Sequence, residues 1–196
     1  MIARRIVVVM ATAILLGVAA VAVATAPDSS RITEPFYANG AVGRSVNTRL
    51  LDVEVRRVAF ARELTVSYGG TFDQPETVYP SDAVWVVIDV TARSSTDSLI
   101  LAGSILTVGE YSYSAFALPS PTIESFTVGS DVPVEGTLVF EIPTSVYESA
   151  VDARVTLKGN FSMPLEQIAV VVVPFEGSTV EPSITVDPAV VEGVER

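Results

Sequence analysis

The chain has 196 residues, with 12 basic and 23 acidic side chains, a formal net charge of −11, no cysteine and no histidine. The missing histidine and cysteine exclude Ser-His-Asp and Cys-His nucleophiles as well as His/Cys zinc sites. The acidic charge disfavours nucleic acid as a partner, because the negatively charged protein and the negatively charged phosphates would repel each other. We therefore expect a protein that is not an enzyme and that holds no cofactor and no metal.

The chain begins with two basic residues followed by a long apolar run. Arg4 and Arg5 precede the uncharged stretch from Ile6 to Ala26, which at about 1.5 Å per residue is long enough to cross a hydrocarbon core of about 30 Å. The arginines on one side predict a cytoplasmic N-terminus and an exported remainder. Residues 1–26 are therefore predicted to be a retained membrane anchor, with a cleaved signal segment as the alternative.

A polar segment and a long alternating strand come next. Residues 27–47 are rich in Ser, Thr, Gly and Pro, a composition that predicts a linker. From Arg49 to Phe60 apolar and polar residues alternate, which predicts a strand with one buried face. The alternation slips by one residue at Arg56-Arg57, as a β-bulge would produce. Gly69-Gly70 then gives a hairpin signal.

The segment Ala83–Arg93 is predicted to be a central strand. Its apolar residues fall on both parities, so we expect both faces of this strand to be covered. Trp85, the only tryptophan, lies in its first half and is predicted to fill the core, as central-strand tryptophans do in immunoglobulin-like sandwiches. Phe140, on a later strand, is likewise expected to be buried.

Further strands are predicted at intervals of about a dozen residues, separated by Gly, Pro and Asp. They are Leu99–Val108, Tyr111–Phe116, Thr122–Val128, Gly136–Ile142, Ala153–Gly159 and Gln167–Val173. The segment Thr144–Ala150 is the one helical turn expected outside the N-terminal segment. Residues 175–196 are acidic and lack a clear period, so they are predicted to be a disordered tail. Residues 48–174 are thus predicted to form an all-β, antiparallel β-sandwich of roughly seven to nine strands.

Several segments together resemble a known family. In chain order they are Gly43, LLDVEVRRVAF, WVVIDVTARS, GEYSYSAF, VPVEGTLVFEIP and a closing strand that ends in VVVP. This pattern resembles the immunoglobulin-like domains of uncharacterised actinobacterial and other Gram-positive exported proteins, which are similar to telokin and to a secreted immunoprotective antigen of mycobacteria. The resemblance covers about Val42 to Pro174. It implies an immunoglobulin-like fold outside the cell and supplies no catalytic residue.

Four large side chains are the candidate partner contacts. Tyr111 and Tyr113 lie on a predicted edge strand, where they either form an aromatic surface or pack on the core. Arg56 and Arg57 lie at the predicted bulge in an otherwise acidic domain, where they either dock an acidic partner or remain in water.

The carboxylates offer weaker alternatives. Asp52 and Glu54 lie two residues apart on one strand face, about 7 Å from each other, and Asp89 lies on the central strand. Such a spacing suits glycoside hydrolysis, but every strand with a solvated face produces it. Loop acids at Asp97, Asp131 and Glu135 would be the ligands if Ca²⁺ were bound, without a diagnostic spacing.

The function expected from the sequence is a non-enzymatic interaction domain tethered to the outer face of the plasma membrane. It would act through protein–protein contacts with a membrane or cell-wall protein that the sequence does not identify. The alternative is a cell-wall glycan-binding or carboxylate-based glycan-cleaving module. The first function needs an exposed apolar patch or a bare strand edge, whereas the second needs carboxylates that converge in a concave pocket.

Overall fold

The computed structural model describes residues 2–25, 35–68, 75–95, 98–118, 122–130, 132–159 and 167–191. Two α-helices lie in these ranges, α1 (Ile2–Thr25) and α2 (Thr144–Ser149), and a 3₁₀ helix spans Ile123–Ser125. The strands are β1 (Phe36–Ala41), β2 (Ser45–Asn47), β3 (Leu51–Val66), β4 (Thr77–Ser94), β5 (Ser98–Ile100), β6 (Ile105–Val108), β7 (Tyr111–Ser114), β8 (Thr127–Gly129), β9 (Val134–Ile142), β10 (Asp152–Leu157), β11 (Gln167–Pro174), β12 (Val180–Val186) and β13 (Val190–Val191).

The N-terminal segment is helical, as its uninterrupted apolar sequence favours. Helix α1 forms a unit separate from the β-rich remainder of the chain. Its large apolar side chains are exposed where they are described, for example Ile14, Leu15 and Leu16. Within the described ranges, no helix meets the length and hydropathy of a bilayer-spanning segment, so the predicted transmembrane helix is not supported by the structure.

The remainder of the chain forms a β-sandwich, which confirms the predicted fold class at that level. Sheet A has the strand order β1-β11-β10-β6-β7, and sheet B has the order β12-β3-β4-β9-β13 with β2 beside β3. A two-stranded ribbon of β5 and β8 completes the set. The described strands outnumber the seven to nine predicted, because several short edge strands have sequences that are typical of loops or tails.

The sheets are not purely antiparallel, which corrects the prediction. Strand β1 pairs parallel with β11, and β12 pairs parallel with β3. Both parallel pairs join segments that are far apart in the sequence, and parallel neighbours require such long connections. The remaining pairs are antiparallel, including the extended β3–β4 pair.

The main core lies between the two sheets. Alternate residues of sheet B, such as Val55, Val86 and Phe140, pack in one cluster with Leu106 and Val171 of sheet A. All five side chains are fully buried. Because successive side chains of a strand point to opposite faces, the apolar residues at every second position lie between the two sheets. Phe140 is one of them, which confirms the prediction that it is buried.

A second apolar cluster covers the opposite face of sheet B. It contains Trp85, Val87 and Val139, which are buried against Leu64 and Ile184. The central strand β4 is thus covered on both faces, as predicted. Trp85 is buried as expected, but it lies in this second cluster and not between the sheets, because its parity is opposite to that of Val84 and Val86.

The predicted bulge at Arg56-Arg57 is confirmed. The register between β3 and β4 shifts between Val55 and Arg57, and it shifts again between Ala61 and Glu63. The pairing continues to Val66 opposite Thr77. The predicted Gly69-Gly70 turn lies outside the described residues.

The predicted linker and tail both contain strands, which corrects the predicted boundaries. Within residues 27–47, β1 and β2 pair with β11 and β3. Within residues 175–196, β12 pairs with β3 and β13 pairs with β9. The predicted linker therefore adds β1 to sheet A and β2 to sheet B, and the predicted tail adds β12 and β13 to sheet B.

The close approach of the C-terminal segment to sheet B gives a first prediction. A Cβ atom added at Gly136 would lie 2.8 Å from the Ala189 Cβ and 2.9 Å from the Ile123 Cβ. We expect Gly136→Ala to lower the free energy of unfolding by about 1–3 kcal/mol, because overpacking forces the neighbouring atoms apart. Urea denaturation followed by circular dichroism measures the change.

Gly129→Ala is the matched control for this substitution. Gly129 also lies in a strand, but no atom comes within 4 Å of its added Cβ. Equal unfolding midpoints for the two variants would show that Ala189 does not pack on β9.

Candidate interaction site

The two arginines of the bulge form ion pairs across sheet B. The Arg57 Nε donates a hydrogen bond of 2.7 Å to the Asp89 Oδ2, and the Arg56 Nη1 donates to the Glu135 Oε1. About half of each arginine side chain remains exposed, 57% for Arg57 and 49% for Arg56. Both guanidinium groups are accessible to a partner because of this exposure. Exposed pairs of this kind contribute little to stability.

A shallow cleft of about 240 Å³ surrounds these pairs. Arg56, Arg57, Asp89, Glu135 and Asp187 are its charged lining residues. The Thr137 hydroxyl donates to the second Asp89 oxygen at 3.3 Å. Two of the acids in this cleft thus accept hydrogen bonds from arginines, Asp89 from Arg57 and Glu135 from Arg56.

The other two carboxylates considered from the sequence, Asp52 and Glu54, both lie on β3. Asp52 accepts hydrogen bonds from Ser45 and, at 3.2 Å, from the Arg93 Nη2. Glu54 lies two residues further along the same strand, opposite Thr91 on β4. Asp52 therefore acts as the partner of a cross-strand ion pair.

The proposed calcium ligands are placed only in part. Asp97 and Asp131 lie outside the described residues, and Glu135 pairs with Arg56. Among the side chains that the structure does describe, no group of three or more acidic residues is close enough to hold a metal ion.

The two tyrosines lie on β7, the edge strand of sheet A, but they differ in exposure. Tyr111 is 62% exposed, whereas Tyr113 is partly buried and packs against the main core. Burial, and secondarily the neighbouring Tyr111, raise the pKa of the Tyr113 phenol. Tyr111 is thus the accessible contact candidate of the pair, and Tyr113 has a packing role as well.

The opposite edge of sheet A holds two aromatic residues that the sequence analysis missed. Phe36 and Tyr37 begin β1 and are 58% and 60% exposed. Val172, on the neighbouring strand β11, is also exposed. The signal in the sequence is an adjacent aromatic pair, but it lies within residues 27–47, whose Ser, Thr, Gly and Pro content predicts a linker.

The fold and these strand edges define the class of the protein, a β-sandwich with exposed aromatic residues at both edges of one sheet. The chain matches no protein-family model and no curated protein. Among solved structures it is similar to an uncharacterised β-sandwich protein from Clostridium difficile 630. The two are 13% identical, the match covers 71% of this chain and 95% of that chain, and the TM-score is 0.44.

Proposed function

We propose that the chain is a non-enzymatic interaction domain that binds a membrane or cell-wall protein on the outer face of the plasma membrane. The observation that carries the proposal is the exposure of Phe36, Tyr37 and Tyr111 on the two edge strands of sheet A. Exposed strand edges offer main-chain hydrogen bonds, and aromatic residues are enriched among interface anchors. The half-exposed Arg56 and Arg57 form a second contact candidate on sheet B.

The strand order supports an immunoglobulin-like assignment within this proposal. Sheet B contains the neighbours β3-β4-β9, and sheet A contains the neighbours β11-β10-β6. In immunoglobulin domains, strands A, B and E are neighbours in one sheet and strands G, F and C are neighbours in the other. The strands β3, β4 and β9 correspond to A, B and E, and the strands β11, β10 and β6 correspond to G, F and C. Under this assignment β7 adds to the sheet beside strand C.

The outer location belongs to the proposal as well. It is supported by the sequence, in which Arg4 and Arg5 precede an uncharged apolar stretch. In intact cells, an externally added protease should degrade the β-sandwich. Protection of the domain until the cells are lysed would contradict this location.

Substitutions at the edge strands test the interaction itself. The tagged full-length chain is cross-linked in its own membranes, and the captured protein is then titrated against purified variants. We expect Phe36→Ala, Tyr37→Ala and Tyr111→Ala each to weaken binding by about 1–2 kcal/mol, as truncation of aromatic interface anchors does. Arg57→Ala tests the second contact candidate in the same assay.

The control is Val151→Ala, because Val151 is 65% exposed and lies outside both edge strands. It should bind as the unchanged chain does. If all three aromatic variants bind normally and Arg57→Ala does not, the contact surface includes Arg57 and lies at or beside the cleft on sheet B. If the captured species is a glycan that competes for this cleft, the alternative glycan-binding module replaces the proposal.

A further inference from the structure

One edge of sheet B is interrupted in its middle. On this side of β3, strand β2 pairs with residues 52–54, and β12 pairs with residues from Phe60 onward. Between them, the Gly43 amide donates a hydrogen bond of 2.8 Å to the Val55 carbonyl. Across the described ranges, no strand pairs with residues 56–59 on this side, which leaves a gap about 13 Å long at a rise of about 3.3 Å per residue.

A groove of about 420 Å³ follows this gap. Its floor is the β3 segment 57–60, and its walls are Val42 and the loop of residues 174–179 between β11 and β12. Val58, Phe60 and Pro174 give it apolar surface next to the main-chain edge. An extended segment needs both features, because main-chain hydrogen bonds provide affinity and side-chain pockets provide specificity.

The charges at the groove favour a basic occupant. Glu176 and Glu181 line it, and the described residues give neither carboxylate an ion-pair partner. Arg57, the one basic lining residue, already pairs with Asp89. The formal charge of −11 on the whole chain adds to the attraction for a cation.

We propose that this groove binds a short extended segment of a basic partner polypeptide, which inserts as a strand between β2 and β12. The proposal deepens the proposed interaction function, since it rests on the chain being a binding domain and assigns a further site with a defined ligand chemistry. It is independent of the aromatic residues on sheet A. If the hexapeptide does not bind in the groove, the edge-strand contacts are still tested separately by the Phe36, Tyr37 and Tyr111 variants.

The test uses the full-length chain in non-ionic detergent and a fluorescein-labelled hexapeptide of alternating lysine and valine. We expect saturable binding by fluorescence anisotropy, and NMR shift changes confined to the amides of residues 56–60 and 176–181. A peptide with the same side chains but with N-methylated amides cannot add to a strand edge, so it should lose most of the binding. A glutamate–valine hexapeptide should not bind.

Charge reversal in the protein gives the second arm. We expect Glu176→Lys/Glu181→Lys to weaken binding of the basic hexapeptide about ten-fold, because the rim charges steer and select the ligand. Glu110→Lys is the control, since Glu110 is exposed on the turn between β6 and β7 and does not line the groove. This control replaces one carboxylate by an ammonium group at a position outside the groove.

Four results would overturn the proposal. They are equal binding of the N-methylated peptide, equal binding of the acidic peptide, shift changes that map to β1 or β7, and an equal loss of binding in Glu110→Lys. Shift changes at residues 56–60 that appear on raising the protein concentration without peptide would assign the groove to a second copy of the chain instead.

Discussion

A chain that ends at Thr179 is expected not to fold. This truncation removes β12 and β13 and with them Ile184, Val186 and Ala189, which are 8%, 3% and 5% exposed. Burial of an aliphatic side chain contributes about 1.5–3 kcal/mol, so the two large residues alone approach the 5–15 kcal/mol that stabilises a typical domain. The truncation also leaves the distal half of β3 without its parallel neighbour.

Circular dichroism with urea titration measures this effect. The truncated chain should lack a cooperative transition, whereas the control that ends at Val191 keeps every described strand and should unfold as the full chain does. A normal transition in the chain that ends at Thr179 would restore the view of residues 175–196 as a tail outside the fold.

The C-terminal strands show why the sequence interpretation failed at the chain ends. Val180, Ile184 and Val186 share one parity, but Pro182 interrupts the run, and proline inside a strand indicates an edge. The pairing partner, β3, begins at Leu51, and no local pattern identifies a neighbour so distant in the sequence. An isolated edge strand among acidic residues therefore has the composition of a disordered tail.

The middle of the chain was predictable because its signals are local. The parity slip at Arg56-Arg57 predicts a bulge from neighbouring residues alone, and the bulge is present. The partners of these arginines, Asp89 and Glu135, lie on other strands, and their identity depends on the register of β3, β4 and β9. A sequence can thus indicate an unusual strand position without indicating what it contacts.

The same distinction applies to the groove beside β3. Each of its parts is a local feature, namely the bulge, the turn at Val42 and the loop of residues 174–179. The gap exists only because β2 begins opposite Glu54 and β12 begins opposite Phe60, which leaves the β3 residues between them without a neighbour on this side among the described strands. It is therefore a property of the topology, and the composition of β3 gives no sign of it.

Trp85→Ala is expected to lower the free energy of unfolding by about 3–5 kcal/mol, the usual cost of emptying a buried aromatic site. The indole packs edge-on against Phe116, with ring centroids 5.2 Å apart and planes at 70°. Its Nε1 donates a hydrogen bond of 3.1 Å to the Tyr79 carbonyl. The substitution therefore removes packing and a partly buried hydrogen bond from the second cluster.

Two further variants separate these contributions in the same urea titration. Trp85→Phe keeps an aromatic ring but leaves the Tyr79 carbonyl without its donor, so about 1–3 kcal/mol of the loss should remain. Tyr111→Ala removes an exposed aromatic residue and should change stability by no more than about 0.5 kcal/mol. A Trp85→Ala chain that unfolds normally but no longer binds the captured partner would make the indole a contact residue, because a buried packing role cannot produce that combination.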